Sequence, residues 1–178
     1  ERSACSRVVR DVYVIFFVVQ SHPPASLFVP SRRPFRPVMI SPASTSPAIT
    51  GLNDNGLVFR TAPSDARQGQ VLAQVLSDKG IKNVALSYTN NDYGKGFADA
   101  FTASFTGMGG KVAMSAGHEE SKADYSAEVA ALAATGAKHL VVLGYLNGGG
   151  KAIIQESIKS GAFDRFSGGD GIIGKSII

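Results

Sequence analysis

Apolar residues from about position 57 onward alternate between short continuous runs and longer segments with a helical period. The short runs predict extended segments at residues 57–60, 84–88, 111–116 and 139–143, with a last strand that begins at Phe163. Four segments between these runs carry apolar residues three or four positions apart, which predicts helices. Alternating strands and helices of this length are typical of a parallel sheet with helices packed on its faces.

The predicted helices have recognisable ends. Asp65 is placed as the N-cap of the first helix, with Gln68 completing a capping box, and Asp124 could cap the third. The second helix carries an aromatic stripe with a spacing of four residues. Its members are Phe97, Phe101 and Phe105. Glycines follow the helices, as at Gly80 and Gly161, and suit their C-terminal ends.

Three loops are expected to lie at the carboxyl ends of the strands, where parallel sheets bind their ligands. They span residues 89–96, 144–150 and 168–174, and each is rich in Gly, Asn or Asp. A ligand site of this α/β protein is therefore expected at that edge of the sheet.

Residues 1–37 differ from the rest of the chain. They hold six of the nine arginines and no lysine, and five prolines fall between residues 23 and 37. The segment reads as a loop or an extended arm. The apolar run at residues 12–19 is too short to span a bilayer and loosely imitates a signal peptide, although a buried strand is the preferred interpretation.

Composition excludes several classes of function. Hydrophobic residues make up 44% and charged residues 18%, as in ordinary globular proteins. The net charge of +4 is not organised into a basic surface with interleaved aromatics, so no nucleic-acid partner is expected. Cys5 is the only cysteine, which excludes an intrachain disulfide and a cysteine-rich metal site.

Candidate chemical motifs are weak. The three histidines, His22, His118 and His139, lack metal-site spacing and are expected to be solvated, with His118 in a turn. Glu119 and Glu120 are expected in a solvated turn rather than as an acid/base pair. No metal and no cofactor is predicted.

Residues 169–176 fit the phosphate-loop pattern G-x-x-x-x-G-K-[ST], with Lys175 as the lysine. Taken alone, this pattern indicates a nucleotide-binding enzyme. The strand before it is weak, and no following helix or acidic strand that would hold magnesium is present in the sequence. The nucleotide-binding enzyme therefore stays an alternative to a protein that catalyses nothing.

Residues 38–50 form a short apolar strand followed by a loop of small hydroxyl residues. Free backbone N–H groups and hydroxyls of such a loop suit a carboxylate ligand. An ordinary Ser/Thr/Pro turn has the same composition, and both interpretations remain open on composition alone.

Several motifs in order resemble the branched-chain amino acid binding proteins of ABC transporters, over about residues 38–178. The matching segments are Met39-Ile40-Ser41-Pro42-Ala43-Ser44-Thr45, Phe59-Arg60-Thr61-Ala62-Pro63-Ser64-Asp65, Asn91-Asp92-Tyr93-Gly94-Lys95-Gly96, Asp124-Tyr125-Ser126 and Gly168-Gly169-Asp170-Gly171. The resemblance implies a type I periplasmic-binding fold, with two lobes, a ligand cleft between them, a periplasmic location and an ABC permease as partner. A sensor lobe for an amide or other small ligand, feeding a regulator, has the same fold and remains an alternative.

The resemblance also implies roles for five residues. Ala43 and Thr45 correspond to first-lobe residues that hold the ligand α-carboxylate, and Tyr93 to the second-lobe tyrosine that closes over the ligand. Asp170 corresponds to the acid that pairs with the α-ammonium, and Leu146 falls where some relatives place an aromatic side chain that lines the pocket.

Three regions follow from this comparison. Residues 1–37 depart from the family pattern, because Ser21-His22 stands where a Ser motif is expected, and the segment is either divergent or translated out of frame. Residues 38–61 are expected to be a remnant of the first lobe and hinge. Residues 62–178 are expected to be a nearly complete second lobe, truncated at its C-terminus.

Overall fold

The computed structural model describes residues 38–174, which divide into two compact units between Pro63 and Ser64. The predictions for residues 1–37 and for residues 175–178 lie outside the described part. In the first unit, strand β1 (Met39–Ser41) pairs in parallel with β2 (Val58–Arg60), and a 3₁₀ helix spans Pro47–Gly51 between them.

The second unit is built around a four-stranded parallel sheet. Its strands are β3 (Asn83–Thr89), β4 (Lys111–His118), β5 (His139–Leu143) and β6 (Arg165–Gly168), in the spatial order β4-β3-β5-β6. The helices are α1 (Asp65–Asp78), α2 (Asp92–Gly107), α3 (Ser126–Ala133) and α4 (Lys151–Lys159). The predicted α/β class with a parallel sheet is confirmed.

Both faces of the sheet are covered, which explains the continuous apolar runs. Successive side chains of a strand point to opposite faces. Val141 and Leu143 therefore pack with the aromatic stripe of α2, while Leu140 and Val142 pack with residues of α3 and α4. All five residues of β5 are buried, as expected for a central strand of a parallel sheet.

The aromatic stripe of α2 forms the centre of one of these layers. Phe97, Phe101 and Phe105 are fully buried, and the rings of Phe101 and Phe105 stack with their centroids 5.2 Å apart. Burial of three phenylalanines fixes α2 against the sheet, and its first turn is thereby held at the carboxyl end of β3.

Predicted details at the starts of two helices differ from the structure. Ser64, rather than Asp65, is the N-cap of α1, and its side chain accepts a hydrogen bond from the Ala66 N–H. Asp65 is instead the first helical residue and is fully buried. Gln68 consequently forms no capping box and reaches across to another loop. Asp124 is not the N-cap of α3 either, because Tyr125 holds that position without a side-chain cap bond. Asp124 lies one residue earlier, and its Oδ1 accepts a hydrogen bond from the Ser126 N–H at 3.0 Å.

Predicted loop and strand bounds shifted by a few residues. The loop expected at residues 89–96 is shorter because α2 already begins at Asp92. The last strand begins at Arg165 rather than at Phe163. The predicted loop at residues 144–150 contains a π-type turn over Leu146–Gly150 that leads into α4.

Candidate functional site

The carboxyl edge of the second unit's sheet gathers the polar and aromatic residues that point to binding. Tyr93 lies in the first turn of α2, Tyr145 follows β5, and Asp170 begins a 3₁₀ turn after β6. Each comes from a different strand–helix connection. Because parallel strands end at the same edge, the fold brings together residues that are far apart in sequence.

Two tyrosines form the aromatic centre of this edge. The rings of Tyr93 and Tyr145 stack with their centroids 4.9 Å apart and their planes 23° from parallel. Tyr93 is buried, with 6% of its surface exposed, whereas Tyr145 keeps 38%. Tyr93 is backed by Phe97, 6.1 Å away between ring centroids. A rigid ring therefore supports a second ring that still faces solvent.

The Asp170 carboxylate lies beside the tyrosine pair. Gln68 Nε2 donates a hydrogen bond to Asp170 Oδ1 at 3.1 Å, which fixes the carboxylate from α1. A side-chain carbon at the next position, Gly171, would overlap the Gly144 carbonyl and lie 3.1 Å from the Tyr93 hydroxyl. The loop after β6 can therefore pack closely on the tyrosines only because it carries glycine there.

Negative charge dominates the electrostatics of this edge. Burial raises the pKa of Tyr93 far above its ordinary value, and the charges of Asp170 and Asp65 raise it further. Burial also raises the pKa of Tyr145, followed by the charges of Asp65, Glu120 and Asp170. Both phenols stay neutral, and the carboxylates make the surroundings of the pair favourable for a cation.

The first turn of α2 is anchored tightly to the end of β3. Asn91 caps the helix, since its Oδ1 accepts from the Gly94 N–H at 2.8 Å. A side-chain carbon on Gly94 would overlap the Thr89 carbonyl, so only glycine permits this close approach. Tyr93 is held in place by the turn that begins at this anchor.

The end of β4 contributes two more acids. Glu119 accepts a hydrogen bond from Asn90 Nδ2 at 2.6 Å, and Glu120 accepts one from Asn91 Nδ2 at 2.7 Å. Both glutamates are exposed, which confirms their predicted place in a solvated turn. Among residues 38–174, no group of three or more His, Cys, Asp or Glu side chains is arranged to hold a metal ion.

The predictions for His118 and His139 were wrong. His118 is the last residue of β4 rather than part of a turn, and 1% of its surface is exposed. His139 is 6% exposed, and its Nε2 lies 2.9 Å from Ser167 Oγ. Because strand β4 continues two residues beyond the apolar run, His118 pairs with Thr89 of β3 and is covered by the adjoining loops. The prediction for His22 lies outside the described residues.

In the first unit, Ala43 and Thr45 lie in the loop that follows β1. The Ala43 N–H is 3.4 Å from Ser41 Oγ, and the Thr45 carbonyl accepts a hydrogen bond from Arg60. Arg60 also donates to the Ser46 carbonyl, at 2.7 Å. The arginine thus ties the loop to β2 through its backbone oxygens, and the Thr45 hydroxyl is not needed for these contacts.

Leu146 takes a different place from the tyrosine pair. It packs against the layer formed with α3 and α4, and it borders an open depression of about 250 Å³ together with Ser121, Lys122 and Lys151. The structure therefore brings Tyr93 and Asp170 together but directs Leu146 to another part of the second unit.

Sequence reasoning missed Tyr145 and Gln68. Tyr145 is the residue next to the predicted Leu146, and its ring stacks on Tyr93. An exposed tyrosine immediately after a buried strand would have been the signal. Gln68 had been assigned to a capping box, and no local pattern connects it with Asp170, which lies 102 positions later.

The candidate phosphate loop is described only in part, because Lys175 and Ser176 lie outside the described residues. Its first half forms the 3₁₀ turn Asp170–Ile172, and the Asp170 side chain faces Gln68.

Within residues 38–174, no helix is long and apolar enough to cross a membrane.

Comparisons with known proteins agree with this architecture. A family model described as periplasmic binding protein matches residues 25–166. An amino acid binding protein of Pseudomonas aeruginosa is 29% identical over 137 residues, which are 76% of this chain and 36% of that protein. A Leu/Ile/Val-binding protein homolog of Brucella melitensis is 36% identical over 120 residues, 64% of this chain and 31% of that protein.

Solved structures show the same fold. An ABC transporter substrate-binding protein from Desulfitobacterium hafniense, in complex with Leu, is 27% identical with a TM-score of 0.61, covering 74% of this chain and 39% of that chain. A solute-binding protein from R. palustris, in complex with 4-hydroxybenzoate, is 20% identical with a TM-score of 0.64. The match covers 78% of this chain and 38% of that chain.

The chain spans about a third of the length of the curated relatives that it matches. Its described part has the parallel α/β architecture of the type I periplasmic-binding fold, present as a partial domain. The resemblance inferred from the motifs is confirmed. Because the family model covers well over half of its residues, the chain belongs to the periplasmic binding protein family.

Proposed function

We propose that this protein is the solute-binding component of an ABC importer and that it captures a branched-chain or similarly small amino acid. The observation that carries the proposal is the stacked Tyr93–Tyr145 pair beside Asp170 at the carboxyl edge of the sheet. Relatives named for binding Leu, Ile and Val support an aliphatic zwitterion as the ligand.

The chemistry of this edge suits the ammonium end of an amino acid. An ammonium leaving water needs an acceptor and favourable charge, and the Asp170 carboxylate offers both. The exposed face of Tyr145 adds a π surface that attracts a cation and an apolar surface for an aliphatic side chain. Gln68 fixes the carboxylate, so little ordering is required on binding.

The first unit supplies the proposed carboxylate-binding segment. Ala43 offers a backbone N–H and Thr45 a hydroxyl in the loop after β1, and a carboxylate accepts from both kinds of donor. In this proposal residues 38–61 are the remnant of a first lobe, and residues 62–178 are most of a second.

The importer role follows from the family and not from a reaction at the site. Family members are binding proteins, so we propose a location outside the cytoplasm and a membrane permease as the partner. ATP hydrolysis would belong to that partner. Nucleotide binding by residues 169–176 is then not required for the proposed function.

Isothermal titration of the chain with leucine, isoleucine and valine tests the proposal. Binding of at least one of them, with a dissociation constant below about 1 mM, is expected. Failure to bind any amino acid at that concentration would contradict it. Binding of ATP with magnesium in their place would favour the phosphate-loop alternative.

A further inference from the structure

A buried polar cluster at the ends of β3 and β4 has no part in the proposed ligand contacts. Its members are Ser87, Thr89 and His118, each at most 1% exposed. His118 Nδ1 lies 2.8 Å from Ser87 Oγ, and His118 Nε2 lies 3.2 Å from Thr89 Oγ1. Both ring nitrogens are thus engaged by hydroxyls in the interior of the sheet, where polar groups are costly unless paired.

Thr89 connects this cluster to both tyrosines. Its backbone lies against Gly94, which follows Tyr93, and its hydroxyl lies against Gly144, which precedes Tyr145. A side-chain carbon on Gly144 would overlap Thr89 Oγ1. One residue therefore abuts the two backbone segments that carry the stacked rings.

His118 also touches the loop beyond Tyr145. A side-chain carbon on Gly149 would lie 3.2 Å from His118 Cδ2, and Gly149 has a left-handed conformation with a φ of 99°. The His118 ring meets Tyr125 edge-on, with the centroids 6.1 Å apart. The imidazole is consequently packed between the strand ends and the Leu146–Gly150 turn.

A proton on His118 would change the hydrogen bonding of this cluster. A neutral imidazole has one donor and one acceptor, and the two hydroxyls can match either arrangement. An imidazolium has two donors, and Ser87, Thr89 and the Gly148 backbone are the acceptors beside it. When Thr89 accepts from the ring, its hydroxyl hydrogen points away from the imidazole, at a site that is packed against Gly144.

We propose that His118 is a positioning residue for the tyrosine pair, which holds the Tyr145 loop through Thr89, and that a proton on His118 weakens ligand binding. This inference rests on the proposed function, because amino-acid affinity is its readout. It assigns the buried histidine a role in tuning the site without contact with the ligand.

Burial and the charges around His118 determine the pH at which protonation would weaken ligand binding. Burial lowers the pKa of His118, whereas the carboxylates of Glu120 and Glu128, a backbone hydrogen bond to Gly148 and the carboxylate of Glu119 act in the opposite direction. Tyr125 on the same side donates its hydroxyl hydrogen to the Glu119 carbonyl. Since the pKa lies below the usual value, the ring is neutral at pH 7. Affinity is therefore highest at pH values well above the histidine's own pKa and decreases as the pH falls through that pKa.

Titration of the whole chain with leucine at about pH 7.5 and about pH 5 tests the proton linkage, because leucine stays zwitterionic over this range. In the unsubstituted protein the affinity should fall by up to about tenfold for each pH unit below the pKa. His118→Gln supplies an N–H donor group and a carbonyl acceptor but cannot be protonated, so its affinity should be nearly independent of pH. His139→Gln is the control and should keep the original pH dependence.

A nuclear magnetic resonance titration of the His118 ring supplies a readout that a purely structural role would not change. Because linkage is reciprocal, the His118 pKa must be lower in the leucine-saturated protein than in the free protein. This measurement needs no substitution and remains decisive if His118→Gln fails to fold. Equal pKa values in both states, or leucine affinity that does not depend on pH, would overturn the proton linkage alone. Absence of leucine binding at every pH would overturn the proposed function, and the linkage with it.

Discussion

Replacement of Asp170 by Asn isolates the charge that the proposal assigns to the ammonium. The change is nearly isosteric, and the asparagine Oδ1 can still accept the hydrogen bond from Gln68 Nε2. The local turn should therefore persist, while the negative charge beside Tyr93 and Tyr145 disappears. The effect on binding can be attributed to charge rather than to shape.

The expected magnitude follows from the kind of hydrogen bond that is lost. A bond to a charged group contributes about 1.5–3 kcal/mol and a neutral one about 0.5–1.5 kcal/mol. The difference of about 1–1.5 kcal/mol corresponds to roughly fivefold to twelvefold weaker leucine binding. Removal of the charge should also lower the pKa of Tyr93, because Asp170 is the largest of the charges that raise it.

Isothermal titration with leucine is the assay, and Asp164→Asn is the matched control. Asp164 is an exposed carboxylate that precedes β6, at the opposite end of the strand from Asp170. Its replacement should leave the leucine affinity unchanged. If Asp170→Asn bound leucine as well as the unsubstituted protein, the assignment of Asp170 to the ammonium would be refuted.

Three further substitutions test the architecture that supports the site. Phe101→Ala should reduce the free energy of unfolding, measured in thermal or urea melts, by about 3–5 kcal/mol because a fully buried ring is lost. Met108→Ala, at an exposed position, should reduce the free energy of unfolding far less. Gly94→Ala should destabilise the protein by about 1–3 kcal/mol and weaken leucine binding, because the added carbon overlaps the Thr89 backbone. Gly107→Ala places its carbon in open space and should be tolerated, so equal melting temperatures for the two variants would contradict this prediction. Tyr145→Ala should weaken leucine binding at least about twofold through loss of the stacked ring, whereas Tyr145→Phe, which keeps the ring, should bind leucine with nearly the original affinity. Unchanged affinity in the alanine variant would exclude this ring from the site.

The periodicity of apolar residues was sufficient to predict the second unit's sheet and helices. Continuous runs such as His139–Leu143 predicted strands because both faces of a central parallel strand are buried. The four-residue spacing of Phe97, Phe101 and Phe105 predicted α2 because such residues share one face of a helix. These signals are local, so a single sequence contains them.

The errors arose where tertiary contacts decide the outcome. His118 was predicted in a solvated turn because it follows the apolar run, yet pairing with β3 extends its strand and buries it. Asp65 was predicted as the helix cap, whereas the preceding Ser64, a residue type that suits the position equally, is the N-cap. The contact between Gln68 and Asp170 has no local signature.

The candidate site was anticipated only in part. The motifs directed attention to Tyr93 and Asp170, which the fold brings to the same edge of the sheet. They also directed it to Leu146, whereas the neighbouring Tyr145 provides the ring that stacks on Tyr93. A shift of one residue after a strand end reverses the direction of a side chain, and sequence spacing alone does not resolve it.

The most direct test of the central claim compares leucine with isocaproate, which has the same carbon skeleton without the ammonium group. Calorimetric titration of the chain with both compounds isolates the contribution of the ammonium. The account predicts that leucine binds and that isocaproate binds at least about tenfold more weakly, because the Asp170 carboxylate and the tyrosine π surface lose their partner. Equal affinity for the two compounds, or tighter binding of isocaproate, would contradict the account.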